Sequence, residues 1–305
     1  YLLLYYYCLS SKKDWEILNM VKRFRFSYGK IISYIILSLL SVVVLMPVVF
    51  MICGSLMGKS EILNSFGNLI TNDNTDSNFH IIPNQITLMG YADVFLLDPS
   101  YLMKFWISIL ISVTIVVGQV IISCFSAYGL AKFNFPFKNV IFYLVVILMM
   151  LPVQVTLVPN YILFDKIGLI GSYLSLILPG IFSTFGVFLL TQVFSAIPND
   201  MIEAAKIDGA NHFQILIRII IPCSKTGIAS LIILCFIDSW NMIEQPLAFL
   251  KNYLKYPLSI FLSRINDTKL DIAFVCGVLA IIPVFILFLF FKDALIKGVE
   301  YSNMK

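Results

Sequence analysis

The stretch PNDMIEAAKIDGAN, residues 198–211, is a polar interruption in an otherwise apolar chain. After the leading proline, Asn199 is predicted to act as the N-cap of a short helix whose first turn includes the acidic Glu203. Gly209 can adopt the left-handed conformation that ends a helix, and Asn211 can cap a second helix. The stretch therefore predicts a helix, a sharp turn and another helix.

The sequence on both sides of this stretch predicts membrane-spanning helices. Apolar residues make up 60% of the 305-residue chain and charged residues 12%, and the mean hydropathy is +0.93. Six runs approach the length that a spanning helix requires. They are 31–53, 105–128, 140–158, 173–194, 219–237 and 272–291. Because these runs are apolar on all faces, they argue against a soluble helical protein. The predicted fold is an all-α membrane protein with six transmembrane helices.

The positions of lysine and arginine predict the orientation. With the N-terminus inside, fourteen of the 21 basic residues fall on cytoplasmic segments and seven on outer ones. Both termini and residues 198–211, between spans four and five, are then cytoplasmic. The net charge of +4 follows from this topology, so it requires no nucleic-acid partner.

The predicted organisation is a single transmembrane domain over residues 31–300, with a cytoplasmic tail before it (1–30) and a short one after it (301–305). Residues 1–19 precede Met20, which we interpret as the natural start of the protein. Residues 57–103 are predicted to form a mobile outer loop, and residues 160–172 a short amphipathic one. The run Asn72–Asn78 favours turns.

Two groups of residues are candidates for function. The loop group has a fixed spacing, because three residues separate Ala205 from Gly209 and nine separate Gly209 from Ile219. Its members are Glu203, Ala204, Ala205, Asp208, Gly209 and Pro222. The second group consists of polar residues in or near spans, where such groups are costly and often functional. Its members are Gln154, Gln192, Asp238 and Asn241. Each of these four could instead form an interhelical hydrogen bond, and Asp238 could simply reach water.

Catalytic motifs are missing from the sequence. It has no GxxxxGK[ST] loop for ATP, no HExxH or GxSxG, and no CxxC metal pair. His80 and His212 are predicted on opposite sides of the membrane. We therefore expect no enzyme, cofactor or bound metal. An ion-coupled secondary transporter is the main alternative, but such a protein would carry ionisable residues within its spans, and these spans hold very few.

The loop spacing, with Ile219 and Pro222, resembles the EAA loop of permease subunits in bacterial ABC importers, although Ile221 stands where leucine is usual. Further segments resemble the carbohydrate-uptake, maltose-type permease family. They are Tyr128–Pro136, Leu151–Pro159 with Tyr161, Gly168 and Leu169, Ser239–Asn241 and Lys297–Gly298. The departures from the family pattern are Ile107, Thr191, Thr226 and Met242. Because of them, the resemblance does not specify which substrate is carried.

This resemblance implies an ABC importer type I permease fold in the bacterial cytoplasmic membrane. The chain would move a sugar or oligosaccharide, and Glu203 would enter a basic pocket on a separate ATPase. The implied partners are two ATPase subunits, a second homologous permease, an extracytoplasmic solute-binding protein and membrane lipid.

Overall fold

A computed structural model describes residues 28–71, 82–97, 100–264 and 270–302, which form helices and no strands. Most of the predicted N-terminal tail, including Met20, lies outside the described residues, as do Asn72–Asn78 and His80. The chain divides into two compact units, residues 1–52 and 53–305. In the first unit, the large apolar side chains between Ile32 and Val49 are exposed, as expected of a helix whose solvent is lipid.

Fourteen helices are numbered in chain order within the described residues. They are α1 (Tyr28–Ser55), α2 (Lys59–Thr71), α3 (Met89–Ala92), α4 (Ser100–Lys132), α5 (Lys138–Met149), α6 (Val153–Lys166), α7 (Leu174–Ile181), α8 (Thr184–Ser195), α9 (Asn199–Ile207), α10 (His212–Ile215), α11 (Lys225–Trp240), α12 (Glu244–Phe249), α13 (Leu258–Ser263) and α14 (Leu270–Ser302). A π-helical turn, Asp93–Leu97, follows α3, and a second one, Leu216–Ile220, continues α10 into the short Ile221–Cys223 turn.

Within the described residues, four stretches are long and apolar enough to cross a membrane, and two bent helix pairs bring the number to six if each pair is one span. The four are Ile32–Ser55, Ser100–Lys132, Leu174–Ser195 and Asp271–Lys292. The pair α5 and α6 is bent by 100°, and the pair formed by His212–Cys223 and α11 is bent by 80°. The predicted all-helical membrane fold is confirmed, and spans three and five are broken.

The predicted third span, residues 140–158, is interrupted in the structure, because α5 ends at Met149 and α6 begins at Val153. Pro152 has extended backbone angles (φ −64°, ψ 145°) at the start of α6. Proline lacks an N–H and disfavours the α conformation of the residue before it, so the helix stops ahead of it. At 12 residues, α5 is about 18 Å long. It is too short to cross a hydrocarbon core of about 30 Å by itself.

Two predicted outer loops also contain more structure than expected. Helix α6 runs through Lys166, so most of the predicted loop 160–172 is helical. Within the predicted mobile loop 57–103, the side chains of Met57, Ile62 and Val94 are buried. Residues 160–166 are therefore helical, and the segments around Met57, Ile62 and Val94 are packed rather than mobile.

Small residues allow the second and fourth spans to pack closely. A Cβ atom placed on Gly118 of α4 would lie 2.6 Å from Ile181 of α7, and one on Gly180 would lie 2.8 Å from Ile115. In a bilayer, where lipid is as apolar as leucine, such close packing is a main source of helix association. The same two spans also border the site described next.

Candidate functional site

The polar stretch 198–211 forms the predicted helix, turn and second helix. Helix α9 ends in a Schellman motif, in which the Ala210 N–H donates to the Ala205 carbonyl (2.9 Å) and the Gly209 N–H donates to the Lys206 carbonyl (3.0 Å). Gly209 has a φ of +82°, a backbone conformation that side chains other than glycine rarely adopt. The predicted turn is thus confirmed.

The second helix of the loop begins with a capping box, as Asn211 predicted. The Gln214 N–H donates to Asn211 Oδ1 (2.8 Å), while the Asn211 N–H donates to Gln214 Oε1 (3.0 Å). The two bonds satisfy two backbone N–H groups that would otherwise have no partner at the start of a helix. The Schellman motif and the capping box therefore lie on either side of Ala210, and their hydrogen bonds give the loop a defined shape.

The start of α9 differs from the prediction. Pro198 occupies the N-cap position, so Asn199 is the first residue of the helix, and its Oδ1 accepts a hydrogen bond from Lys132 Nζ at 3.0 Å. Glu203 is the fifth residue of the helix, so Asp200 alone is the acidic residue of the first turn. The acidic side chain of Glu203 consequently lies in the middle of the helix.

Helix α9 presents a mixed surface. Ile202 and Ala205 are buried in an apolar cluster with Ala127 and Tyr128 of α4. The other predicted members of the loop group are exposed. They are Glu203, Ala204, Asp208, Gly209 and Pro222. One face thus fixes the loop to the spans, and the opposite face is open to a partner, with Ile207 87% exposed.

The loop connects to the fifth span through a π-helical turn and a bend. After Leu216–Ile220, the chain passes Pro222 and turns at Ser224 into α11. The Ser224 backbone N–H still donates to the Ile220 carbonyl at 3.0 Å. A displacement of the loop would therefore reach the fifth span through a bent but hydrogen-bonded connection.

A cavity of about 1180 Å³ lies beside the bend of the third span and the end of α11. Gln154, Asp238 and Asn241 line it, so three of the four predicted pathway residues come together. Gln192 does not line this cavity and is exposed on α8. A space of this size can hold a small molecule.

Glu244, which we did not predict, also lines the cavity and accepts a hydrogen bond from Gln154 Nε2 at 2.8 Å. Asn241 Nδ2 donates to the Ile237 carbonyl at 3.0 Å, one turn earlier in its own helix. The bend at Pro152 directs Gln154 towards α12, 90 residues later. In the sequence, the only signal for a role of Glu244 is its position just beyond the end of the fifth span.

The cavity is lined mainly by apolar side chains, among which lie several polar groups and few charged ones. Its side chains include five amides (Gln119, Gln154, Asn160, Asn241 and Gln245) and two carboxyl groups (Asp238 and Glu244), and no lysine or arginine is among the described lining residues. In the described parts of the chain, no group of three or more His, Cys, Asp or Glu side chains could hold a metal ion. The arrangement suits reversible hydrogen bonding.

Comparison with known proteins identifies the family of the chain and supports its fold. The family described as binding-protein-dependent transport system inner membrane component matches residues 119–301. The arabinooligosaccharides transport system permease protein AraQ of Bacillus subtilis (strain 168) is 32% identical over 284 residues, which cover 92% of this chain and 98% of AraQ. The sn-glycerol-3-phosphate transport system permease protein UgpE of Brucella abortus (strain 2308) is 30% identical, over 88% of this chain and 95% of UgpE.

Solved structures share the fold. A chain of a bacterial ABC transporter involved in the import of the acidic polysaccharide alginate superposes with a TM-score of 0.73 at 21% identity, over 87% of this chain and 96% of that chain. A chain of the alginate transporter in complex with alginate pentasaccharide-bound periplasmic protein gives a TM-score of 0.56 at 14% identity, over 92% of this chain and 94% of that chain.

Fold and site together define a multi-pass membrane transport subunit. The chain belongs to the family of binding-protein-dependent transport system inner membrane components. Its class is that of a transport permease.

Proposed function

We propose that this chain is one of two permease subunits in an ATP-driven importer of a sugar or oligosaccharide. The observation that carries the proposal is the 198–211 loop: a rigid helix–turn–helix, anchored on its buried face and open on the face that bears Glu203 and Ala204. A loop of this form can pass force from a soluble motor to membrane helices. The family membership supports this role.

The proposed partners follow from the same features. Two ATPase subunits would dock on the loops of this chain and of a second, homologous permease, with Glu203 entering a basic pocket. An extracytoplasmic binding protein would deliver the cargo. This arrangement requires both termini and the loop to be cytoplasmic, as the lysine and arginine distribution predicts. Residues 31–300 would form the transmembrane domain.

The cavity supports a hydroxylated and uncharged cargo. Amides and carboxylates exchange hydrogen bonds with hydroxyl groups readily. A phosphate or uronate would normally be recognised by arginine or lysine, and neither residue is among the described lining residues. We therefore favour a neutral sugar, of the kind named for AraQ, over an anion such as that named for UgpE.

ATP dependence tests this function against the secondary-transport alternative. We expect vesicles containing the complete complex and its binding protein to accumulate a labelled neutral oligosaccharide when ATP is supplied on the side of the ATPase subunits. Proton or sodium gradients alone should give no accumulation, and dissipating them with ionophores should not reduce ATP-driven uptake. Accumulation that follows an ion gradient without ATP would rule the proposal out.

A further inference from the structure

Two residues at the end of the second span form hydrogen bonds with the loop, one on each side of the Gly209 turn. The first is Lys132, whose Nζ donates to the Ile197 carbonyl (2.5 Å) and to Asn199 Oδ1 (3.0 Å). These acceptors lie at the end of the fourth span and at the first residue of α9. The ammonium group thereby fixes the point where the chain enters the loop, 65 to 67 residues away in sequence.

The second residue is Tyr128, whose hydroxyl lies 3.0 Å from Nδ1 of His212, the first residue of α10. The ring of Phe133, the residue that follows α4, lies 4.6 Å from the His212 ring, centroid to centroid. The start of the second loop helix is thus held by an aromatic and hydrogen-bonded contact. This contact follows the Gly209 turn, whereas the Lys132 contact precedes it.

Tyr128 and Lys132 lie on the same face of α4. Tyr128 and Lys132 are four residues apart in α4, and Cys124 lies another four residues earlier. Residues at this spacing lie one above the other on a helix. Cys124 and Tyr128 belong to the same buried cluster as Ile202 and Ala205 of α9, so apolar packing reinforces the polar contacts.

We propose that Tyr128 and Lys132 form a clamp, which makes the loop and the cytoplasmic end of the second span move as one body. This inference rests on the proposed function. The covalent route into the fifth span passes a π-helical turn and an 80° bend, where rotation can be absorbed. The clamp adds a second, stiffer route through charge-assisted and aromatic contacts. Since α4 also lines the cavity at Gln119, ATP-driven movement would reach the cavity by that route.

The test measures transmission without requiring an identified sugar. A single reactive cysteine replaces Asn160, which lines the cavity, in a complex whose other cysteines are replaced. Its rate of labelling by a membrane-impermeant maleimide is measured with and without a non-hydrolysable ATP analogue. We expect nucleotide to change the labelling rate in the otherwise unmodified complex.

Lys132→Met keeps the apolar stem and removes the charged donor. We expect it to reduce the nucleotide-dependent change at least about tenfold, because it removes both hydrogen bonds of the ammonium group and even one such bond to a charged group is worth about that factor. Nucleotide binding, measured with a fluorescent ATP analogue, should stay unchanged. Lys132→Arg should restore most of the response. The matched control is Lys138→Met, which should respond normally. Lys138 Nζ donates to the Phe133 carbonyl (3.0 Å), five residues earlier, and to no other group among the described residues.

Tyr128→Phe removes a single hydroxyl and tests the other half of the clamp, including the case in which Lys132→Met does not assemble. A full response in either Lys132→Met or Tyr128→Phe with nucleotide binding intact would overturn the clamp. A complex that binds nucleotide but shows no response even with both clamp residues present would contradict the proposed function, and the clamp with it.

Discussion

At the scale of single residues, the hydrogen-bond partners of each side chain decide its role in the loop. Gly209 and Asn211 are confirmed as the turn and the second cap because their partners lie within five residues along the chain. Asn199 was wrongly predicted as a cap, because the helix takes Pro198 as its N-cap; the Asn199 side chain instead binds Lys132, 67 residues earlier. The role of Glu203 stays a prediction, since its exposed carboxyl group would act on another subunit.

Gly209→Ala tests the turn. The added methyl would meet no atom within 4 Å, so the cost arises from the φ of +82° alone. We expect a loss of about 1–2 kcal/mol at this turn, with reduced uptake and unchanged membrane insertion. Uptake and thermal stability of the purified complex would be measured.

Gly129→Ala is the matched control for this change. Gly129 also has free space around its missing Cβ, but it has no positive φ and lies inside α4. Alanine is favoured over glycine in a helix, so this variant should be as stable as the unmodified protein or slightly more so. Equal behaviour of the two variants would show that the turn conformation does not matter.

At the scale of helices, the sequence predicted how many apolar segments exist but not their continuity. Runs three and five satisfy the length criterion for a span, yet each is bent, by 100° and 80° respectively. Hydropathy counts apolar side chains along the chain and carries no information on whether the helix axis bends. The bend at Pro152 brings Gln154 to Glu244, a contact that no pattern along one helix could have predicted.

Contact between the second and fourth spans gives a prediction for these elements. Gly118→Ala would place a Cβ atom 2.6 Å from Ile181, whose branched side chain has little freedom to move. We expect a destabilisation of about 1–3 kcal/mol, seen as a lower midpoint of thermal unfolding in detergent. Adding Ile181→Ala should recover part of this loss. A double variant that is less stable than Gly118→Ala alone would contradict the packing described here.

At the scale of the whole molecule, composition alone was enough to predict a membrane protein, because a chain that is 60% apolar needs lipid as its solvent. The transport class followed from the spacing of the loop, and the family match confirms it. What the single chain does not contain is its partners. Glu203, the exposed Ile207 and one wall of a cavity acquire their proposed functions only in the assembled complex.

The central claim is that the loop around Glu203 couples ATP hydrolysis to transport. The most direct test is ATP-driven uptake by reconstituted complexes carrying Glu203→Lys, beside Asp165→Lys, which makes the same charge change on the exposed surface of α6. We expect Glu203→Lys to lower uptake at least about tenfold, because it would bury like charges at the ATPase contact. Asp165→Lys should leave uptake nearly unchanged. Undiminished uptake with Glu203→Lys would contradict the account.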